Sequence, residues 1–312
     1  MKQIIMLGFT ALLISSCNSG KTGENGINEG PGEGTAYVID INNAESSPIG
    51  NRFSNVSFWH YLGTSADEEA SNGWAEEMPA GWLKENYPWL EEAQIYIASG
   101  GSYKGYKRQE TDVADCEFDR DLFRDPSDRS VMDDYDFTPL VRACRNMLDQ
   151  GIRPCLKLHN VPIKYSGDPK IDWFRVNVRP PDDYRVYADY IKALVGSMVG
   201  AFGMEEVGRW RWYVGTEFDN KTWYQAQDET PESTAEEFLR LYDWSVYAVE
   251  NVLGEHCGPI GSHAMMGGNM YWDPEIFFKH CRGGVNYATG KTGSRLDFFA
   301  ISYYDRSAVL LT

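Results

Sequence analysis

The run RWRWYVGTEFDN, residues 209–220, constrains this chain more than any other stretch. Its first half is aromatic and β-branched and lies between Gly208 and Gly215, a pattern typical of a short buried strand. Its second half places Glu217 just beyond the end of that strand, in a polar turn. Chemistry in barrels of parallel strands is located at these carboxyl ends. Glu217 is therefore a candidate catalytic acid or base, the alternative being a solvated carboxylate in a turn.

An alternation of helical and strand patterns along the rest of the chain predicts a parallel sheet. Residues 136–150 carry apolar side chains at helical spacing, Gly151 ends that helix, and residues 152–158 form the next predicted strand. The order helix, glycine, strand and polar turn is that of successive βα units. Further strands are predicted at residues 52–58, 93–98, 258–263 and 296–304, and further helices at residues 79–90, 181–202, 232–253 and from residue 274 onward.

Six predicted strands in this order indicate an α/β fold of the (β/α)8 TIM-barrel class. An open doubly wound sheet is the alternative, but no glycine-rich phosphate loop follows the first predicted strand. A complete barrel has eight strands, so residues 35–312 are expected to form a barrel truncated after its sixth strand. Residues 103–133 lack periodicity and are expected to form a long excursion above the sheet.

The first 34 residues have the composition of an export signal followed by a tether. A positively charged start, an apolar run too short to span a bilayer and two small residues before Cys17 predict a signal peptide over residues 1–16. The sequence ISSC at residues 14–17 resembles a bacterial lipobox, which implies cleavage before Cys17 and lipidation on it. Residues 17–34 are rich in glycine and are expected to form a flexible tether. These features predict a lipid-anchored protein of the bacterial cell envelope, on an outer-membrane, periplasmic or surface face.

Composition excludes several classes of partner. The 46 acidic and 29 basic residues give a net charge of -17, which argues against nucleic-acid binding and against charge-driven docking on an anionic membrane. The 10 Trp and 19 Tyr suit a neutral glycan, because the flat C–H faces of sugar rings pack on aromatic planes, although much of this content must be core. No cysteine pair has CxxC spacing and no histidine pair has HxxxH spacing, so neither a metal nor a cofactor is predicted.

The segment Gly215-Thr216-Glu217-Phe218 is similar to the fourth-strand segment of clan A glycoside hydrolases. The closest fit is family 39, the β-xylosidase and α-L-iduronidase family. The usual form there is Trp-Asn-Glu-Pro, of which this chain retains only the Glu. The resemblance implies that Glu217 is the general acid/base of a retaining glycosidase, and that Thr216 replaces an Asn that binds a sugar hydroxyl. It also implies a Glu nucleophile at the end of a seventh strand, which this sequence does not supply.

Two further segments resemble the same family. Residues 135–162 are similar to its helix-then-strand unit, which ends in a polar pair followed by proline, and residues 296–304 are similar to its sixth strand. The second resemblance implies that one of two adjacent tyrosines orients the nucleophile. Strand-end positions and the resemblance together give the candidate substrate-binding residues Trp59, His60, His159, Asn160, Thr216, Asn220, His263, Tyr303 and Tyr304.

These observations predict a glycoside hydrolase that cleaves O-glycosidic bonds in plant- or host-type oligosaccharides or polysaccharides by a retaining two-carboxylate mechanism. The alternatives are a non-catalytic glycan-binding lipoprotein at the cell surface and an inactive fragment. Glycan affinity without hydrolysis would favour the first alternative, and failure to fold would favour the second.

Overall fold

The computed structural model describes residues 55–58, 79–103, 112–115, 121–266 and 270–302. The predicted signal peptide, the predicted tether, the lipidation site Cys17 and the candidate residues Trp59, His60, Tyr303 and Tyr304 lie outside these ranges.

Six parallel strands form the main sheet. They are β1 (Asn55–Phe58), β2 (Glu92–Ile95), β3 (Arg153–Leu158), β4 (Arg211–Val214), β5 (Ile260–Met266) and β6 (Phe298–Ser302). Their order in the sheet is their order in the chain, and each pairs in parallel with the next. A doubly wound sheet would reverse its strand order at a switch point. Sequential order is that of a (β/α)8 barrel, so the predicted fold class is confirmed, with six barrel strands in the described ranges.

Helices connect successive strands and cover one face of this sheet. They are α1 (Trp82–Asn86), α2 (Thr138–Asp149), α3 (Tyr184–Phe202), α4 (Met204–Val207), α5 (Pro231–Leu253) and α6 (Glu275–Gly283). The Asp183 side chain caps α3 by accepting hydrogen bonds from two backbone N–H groups, and Thr230 caps α5 ahead of a proline at its first position. None of the helices in the described part is long and apolar enough to cross a membrane.

The sequence did not predict a small antiparallel hairpin formed by Ile171–Asp172 and Val176–Asn177. Each of its strands has two residues, which is too short to show an alternating pattern. The backbone N–H of Asn177 donates to the carbonyl of Gly101 at 2.9 Å, and Phe174 stacks on Trp223 with ring centroids 4.5 Å apart. Because Gly101 follows β2, these contacts place the hairpin beside the carboxyl ends of the barrel strands.

The face of the sheet that packs on the helices is apolar. Leu156, Leu158, Trp212 and Val214 alternate along β3 and β4, and each is fully buried in the main hydrophobic core. Side chains at the intervening positions point to the opposite face, which is the barrel interior. This alternation separates the apolar layer that stabilises the fold from the interior, which carries the polar groups.

The barrel interior is polar from one end to the other. At the amino end, the Glu92 carboxylate accepts hydrogen bonds from Arg153 at 3.4 Å and from Arg211 at 3.3 Å. Further along, Lys157 on β3 is paired in register with Tyr213 on β4. The charges at the amino end of the barrel therefore have partners within the fold.

Candidate active site

The turn after β4 sets the position of Glu217. Gly215 has a φ of 78°, and a Cβ there would lie 2.7 Å from Cε2 of Phe238, so glycine is required. Glu217 itself has a φ of 39°, in a region that residues other than glycine seldom adopt. The side chain of Glu217 is 5% exposed. Sparsely populated backbone conformations are concentrated at functional sites, where the surrounding structure enforces them.

Asn220 holds the Glu217 carboxylate. Its Nδ2 donates to Oε2 of Glu217 at 3.2 Å, and its backbone N–H donates to the Glu217 carbonyl at 2.7 Å. The Oδ1 atom of Asn220 in turn accepts hydrogen bonds from the backbone N–H and the hydroxyl of Thr222 at 3.1 and 2.9 Å. The sequence predicts that Asn220 binds sugar, which stays a prediction, and the structure shows that Asn220 also holds the Glu217 carboxylate.

Asp219 joins the same turn to the segment that follows β5. Its carboxylate accepts from the backbone N–H of Met266 at 2.8 and 3.2 Å, and its carbonyl accepts from that of Tyr271 at 2.6 Å. Burial raises the pKa of Asp219 to about 6, with a smaller contribution from the nearby charge of Glu217, while the Met266 hydrogen bond opposes the shift. Asp219 therefore ties two loops together at the carboxyl end of the sheet.

His159 and His263 lie at the same end of the barrel. His159 follows β3 and is 1% exposed, and neither of its ring nitrogens has a hydrogen-bond partner among the described residues. The Nδ1 atom of His263 also has no hydrogen-bond partner among the described residues. The His263 ring packs edge-on against the rings of Tyr96 and Tyr213, with centroid distances of 5.1 and 5.5 Å. Burial, reinforced by nearby Lys157, lowers the pKa of His159 to about 3 and that of His263 well below its usual value. Both imidazoles are therefore neutral at pH 7.

Lys157 is a site residue that sequence reasoning missed. It is fully buried, its Nζ lies over the ring of Tyr96, and that nitrogen has no hydrogen-bond partner in the described part of the chain. Burial lowers the pKa of Lys157 well below its usual value, and the charge of Glu217 acts in the opposite direction. The signal that could have found it is a lysine at an inward position of a strand whose outward positions are all apolar.

Three further buried polar groups complete the site. The amide nitrogen of Asn160 donates to the carbonyls of Asn177 and Trp223 at 3.2 and 3.0 Å, which leaves only its Oδ1 for a ligand. That oxygen and the hydroxyls of Thr216 and Ser262 are buried and lack partners within the described ranges. Unsatisfied buried polar atoms are rare because each costs free energy, so their concentration here indicates a place where a ligand or water binds.

The structure brings the described candidates to one end of the sheet. His159 and Asn160 follow β3, and Thr216, Glu217 and Asn220 follow β4. His263, predicted at the end of its strand, instead lies within β5, which continues to Met266, and its ring packs against Tyr213 of β4. The electrostatic influences of Lys157 on His159 and His263, and of Glu217 on Lys157, show that these side chains are neighbours. In the ranges that the structure describes, His, Cys, Asp and Glu side chains form no group of three suited to hold a metal ion.

Comparison with known sequences identifies a family. The family model "Glycosyl hydrolases family 39" matches residues 117–310. A β-xylosidase from Geobacillus stearothermophilus is 30% identical over 139 residues, which are 44% of this chain and 26% of that protein. A β-xylosidase from Caldicellulosiruptor saccharolyticus is 26% identical over 110 residues, covering 35% of this chain and 21% of that protein. The matches therefore span about a quarter of the length of these curated relatives.

Similar solved structures support the same fold. A family 39 glycoside hydrolase from Xanthomonas axonopodis pv. citri superposes with a TM-score of 0.51 at 16% identity, covering 81% of this chain and 41% of that one. A family 39 β-xylosidase from Caulobacter crescentus gives a TM-score of 0.51 at 17% identity, covering 83% and 48%. At these identities the likeness concerns the fold alone.

Proposed function

Because this chain belongs to glycosyl hydrolases family 39, we propose that it carries the general acid/base, Glu217, of an enzyme that hydrolyses O-glycosidic bonds. The single observation that carries the proposal is the placement of Glu217. Its carboxylate is buried at the carboxyl end of the fourth barrel strand, held by Asn220 and surrounded by polar groups that lack partners among the described residues. A sugar supplies the hydroxyl groups that such atoms need.

In the proposed mechanism, protonated Glu217 donates its proton to the oxygen of the leaving group while a second carboxylate, which the family resemblance places at the end of a seventh strand, attacks the anomeric carbon and displaces that oxygen. The Glu217 carboxylate then removes a proton from a water whose oxygen attacks the anomeric carbon of the glycosyl–enzyme. The nucleophilic carboxylate is released as the sugar leaves, and Glu217 returns to its protonated form. The hydrogen bond from Asn220 fixes the carboxylate through both steps. Neutral His159 and His263 can each donate one hydrogen bond and accept another, which suits sugar hydroxyls.

Asp219 is the carboxylate nearest to Glu217 in sequence, and we give it no part in bond making. Its oxygens accept the backbone N–H of Met266, and it is fully buried. A nucleophile has to face the anomeric carbon, about 5–5.5 Å from the acid/base carboxyl group in retaining enzymes. The proposal therefore assigns Glu217 the acid/base role and leaves Asp219 as a structural link.

The proposed substrates are O-glycosides from plant- or host-type oligosaccharides or polysaccharides. Since the curated relatives are β-xylosidases, aryl β-D-xylosides are the first substrates to assay. These assays use the protein expressed from its complete reading frame.

Replacing Glu217 by Gln tests the acid/base assignment. Without a proton donor, kcat/KM for a glycoside with a poor leaving group, such as phenyl, should fall about 10³-fold. The 2,4-dinitrophenyl glycoside, whose leaving group needs no proton, should lose less than about tenfold. Glu205→Gln is the matched control, because Glu205 lies on α4 with its side chain 87% exposed. An equal loss of kcat/KM for both leaving groups would contradict the acid/base role of Glu217. If the wild-type protein binds glycans but does not hydrolyse them, it is a glycan-binding protein instead.

We also propose that the protein is exported and lipid-anchored through Cys17, on the strength of the lipobox-like residues 14–17. Cys17→Ser should abolish incorporation of radiolabelled palmitate and move the protein from the membrane to the soluble fraction. Cys257→Ser, which removes a free thiol within the folded part, should leave both unchanged. Equal labelling of the wild type and the Cys17 variant would refute the anchor.

A further inference from the structure

Lys157 is the one buried lysine that the described part of the fold leaves without a hydrogen-bond partner. Lys164 is equally buried, but its ammonium is held by the Asp134 carboxylate at 2.5 Å and by the Asp125 carbonyl at 2.9 Å. A buried ammonium without such partners is strongly unfavourable, so it releases its proton more readily than an exposed one. The two buried lysines therefore differ in the protonation state that their surroundings favour, which is the ammonium at Lys164 and the neutral amine at Lys157.

The surroundings of Lys157 are largely aromatic. Its Nζ lies over the ring of Tyr96 and 6.0 Å from the ring centroid of Trp223. The Tyr96 ring also packs edge-on against the ring of His263, with centroids 5.1 Å apart. Aromatic faces attract an ammonium only weakly, so they do not replace a counter-ion. Burial accordingly lowers the pKa of Lys157 well below its usual value, and the negative charge of Glu217 opposes that shift.

The proposed acid/base cycle removes this opposing charge. Glu217 must be protonated to act as an acid, and it is then uncharged. The imidazoles of His159 and His263 are neutral at pH 7, and so is Tyr213, the register partner of Lys157 on β4, because burial raises its pKa. Lys157 at that stage is an amine among uncharged groups, with a free lone pair on its nitrogen. A desolvated lysine amine of this kind is a nucleophile toward carbonyl carbon.

We propose that Lys157 is a carbonyl-reactive amine that binds the open-chain aldehyde of an aldose covalently, as an imine. The inference rests on the proposed glycosidase function for the source of that aldehyde, because hydrolysis of a glycoside releases a free aldose at this end of the barrel. The hydroxyls of Thr216 and Ser262 and the Oδ1 atom of Asn160 are buried and lack partners among the described residues, so they are available to the hydroxyl groups of the sugar. The site therefore favours a polyhydroxy aldehyde over a plain alkyl aldehyde.

Imine formation needs no reagent beyond the amine and the aldehyde. The lone pair of Nζ attacks the aldehyde carbon, the C=O π pair moves to the oxygen, and a proton passes from the nitrogen to that oxygen to give a carbinolamine. The carbinolamine then loses its hydroxyl group and the second N–H proton as water, and the C–N bond becomes a double bond. The neutral imidazoles of His159 and His263 can each accept one proton and donate another during these transfers. Hydrolysis of the imine reverses the reaction, so the sugar is bound covalently but not permanently.

Reductive trapping tests this proposal in the protein expressed from its complete reading frame. The native protein is incubated at pH 7 with D-glyceraldehyde, a short polyhydroxy aldehyde, and with sodium cyanoborohydride, which reduces an imine to a stable secondary amine. Peptide mass spectrometry then measures the labelled fraction of each lysine. Lys157 should be labelled at least about tenfold more than Lys279, whose side chain is 70% exposed, because an exposed lysine is almost entirely protonated at pH 7. Lys164, which is buried but paired, should stay unlabelled.

Two comparisons show whether the labelling reports a reactive amine in a sugar site. Between pH 7 and pH 9 the neutral fraction of an exposed lysine rises about 100-fold, so the ratio of Lys157 to Lys279 labelling should fall at least about tenfold. Butanal, which lacks hydroxyl groups, should give a lower ratio at pH 7 than D-glyceraldehyde. Labelling of Lys157 no higher than that of Lys279, a ratio that does not change with pH, or an equal ratio with butanal would overturn the proposal.

The labelling does not depend on hydrolysis, so it separates this inference from the glycosidase function. Trapping should lower the glycosidase activity of the wild type in proportion to the labelled fraction of Lys157, because the adduct occupies the sugar site. The residual activity of Lys157→Arg, which has no nucleophilic amine, should not change on the same treatment, and Lys279→Arg should respond as the wild type does. An unlabelled Lys157 in a protein that hydrolyses glycosides would refute this inference alone. A labelled Lys157 in a protein whose hydrolysis is insensitive to Glu217→Gln would refute the catalytic assignment alone.

Discussion

At the scale of single residues, several buried polar atoms of the site have no hydrogen-bond partner among the described residues. His280 shows the contrast: it is 8% exposed, and its Nε2 is 2.9 Å from the Asp243 carboxylate, a paired structural histidine. His159 is more deeply buried, and both of its ring nitrogens lack partners in the part of the chain that is described. Because the buried histidine outside the site is paired, we interpret the unpartnered ring nitrogens of His159 as groups that a ligand or water would satisfy.

Asp219 gives a pH-dependent prediction at this scale. Its pKa is about 6 in the folded chain against an ordinary 3.8, so the folded state holds this proton more tightly than the unfolded state. Its contribution to stability is therefore fully present below about pH 4 and is lost as the pH rises through about 6. Asp219→Asn removes the titration but keeps an oxygen that can accept the Met266 N–H. The free energy of unfolding of the variant, relative to wild type, should rise by about 1–3 kcal/mol between pH 4 and pH 7.5.

Urea denaturation at a series of pH values measures this difference. Asp168→Asn, at an exposed position, is the matched control and should show a difference that does not vary with pH. Parallel pH curves for wild type and Asp219→Asn would show that this carboxylate is not the group that titrates.

Residue-level chemistry can be predicted from the sequence only in part. Glu217 is identifiable because a carboxylate follows a strongly patterned strand, and His159 is identifiable because it follows a strand end. His263 is predicted at a strand end but lies within β5. Lys157 is identifiable only as a lysine at an inward position of an apolar strand, because its burial and its lack of a partner among the described residues are tertiary properties that no spacing reveals. The positioning contact of Asn220 is hidden for the same reason, since it depends on the left-handed turn at Glu217.

At the scale of elements, the end of β4 is the critical feature. The strand stops at Val214 because Gly215 takes a positive φ that turns the chain toward Phe238. The sequence predicts the helices α2, α3 and α5 to within a few residues, because their apolar stripes are long. It does not predict the 171–177 hairpin or the extension of β5 to Met266, because short strands and bulged ends depend on the partners that they meet.

Gly215→Ala tests the geometry of this turn. The new Cβ would lie 2.7 Å from Cε2 of Phe238, at a φ of 78°. Strain and overpacking together should lower the free energy of unfolding by about 2–4 kcal/mol. Gly200→Ala is the matched control, because Gly200 is an exposed position of α3 where an added Cβ would meet no atom of the described residues within 4 Å. It should stabilise by up to about 1 kcal/mol, and an equal effect of both substitutions in urea denaturation would show that the turn does not require glycine.

At the scale of the whole molecule, the polar groups at the two ends of the barrel differ in whether they have hydrogen-bond partners. The amino end holds a carboxylate paired with two arginines, and the carboxyl end holds a lysine, two histidines and two hydroxyls with atoms unpartnered in the described ranges. Sequential parallel strands produce this arrangement, because every strand delivers its last residues to the same end. The sequence predicts the order of the strands correctly, since that order follows from the repeated βα pattern.

The most direct test of the central claim is the rescue of Glu217→Ala by azide. If Glu217 is the acid/base of a retaining glycosidase, the variant should form its glycosyl–enzyme from a 2,4-dinitrophenyl glycoside but hydrolyse it slowly for want of a general base. Azide needs no base, so it should accelerate turnover and give a glycosyl azide with the anomeric configuration of the substrate, as read by NMR. No acceleration by azide, or a product of inverted configuration, would contradict the account.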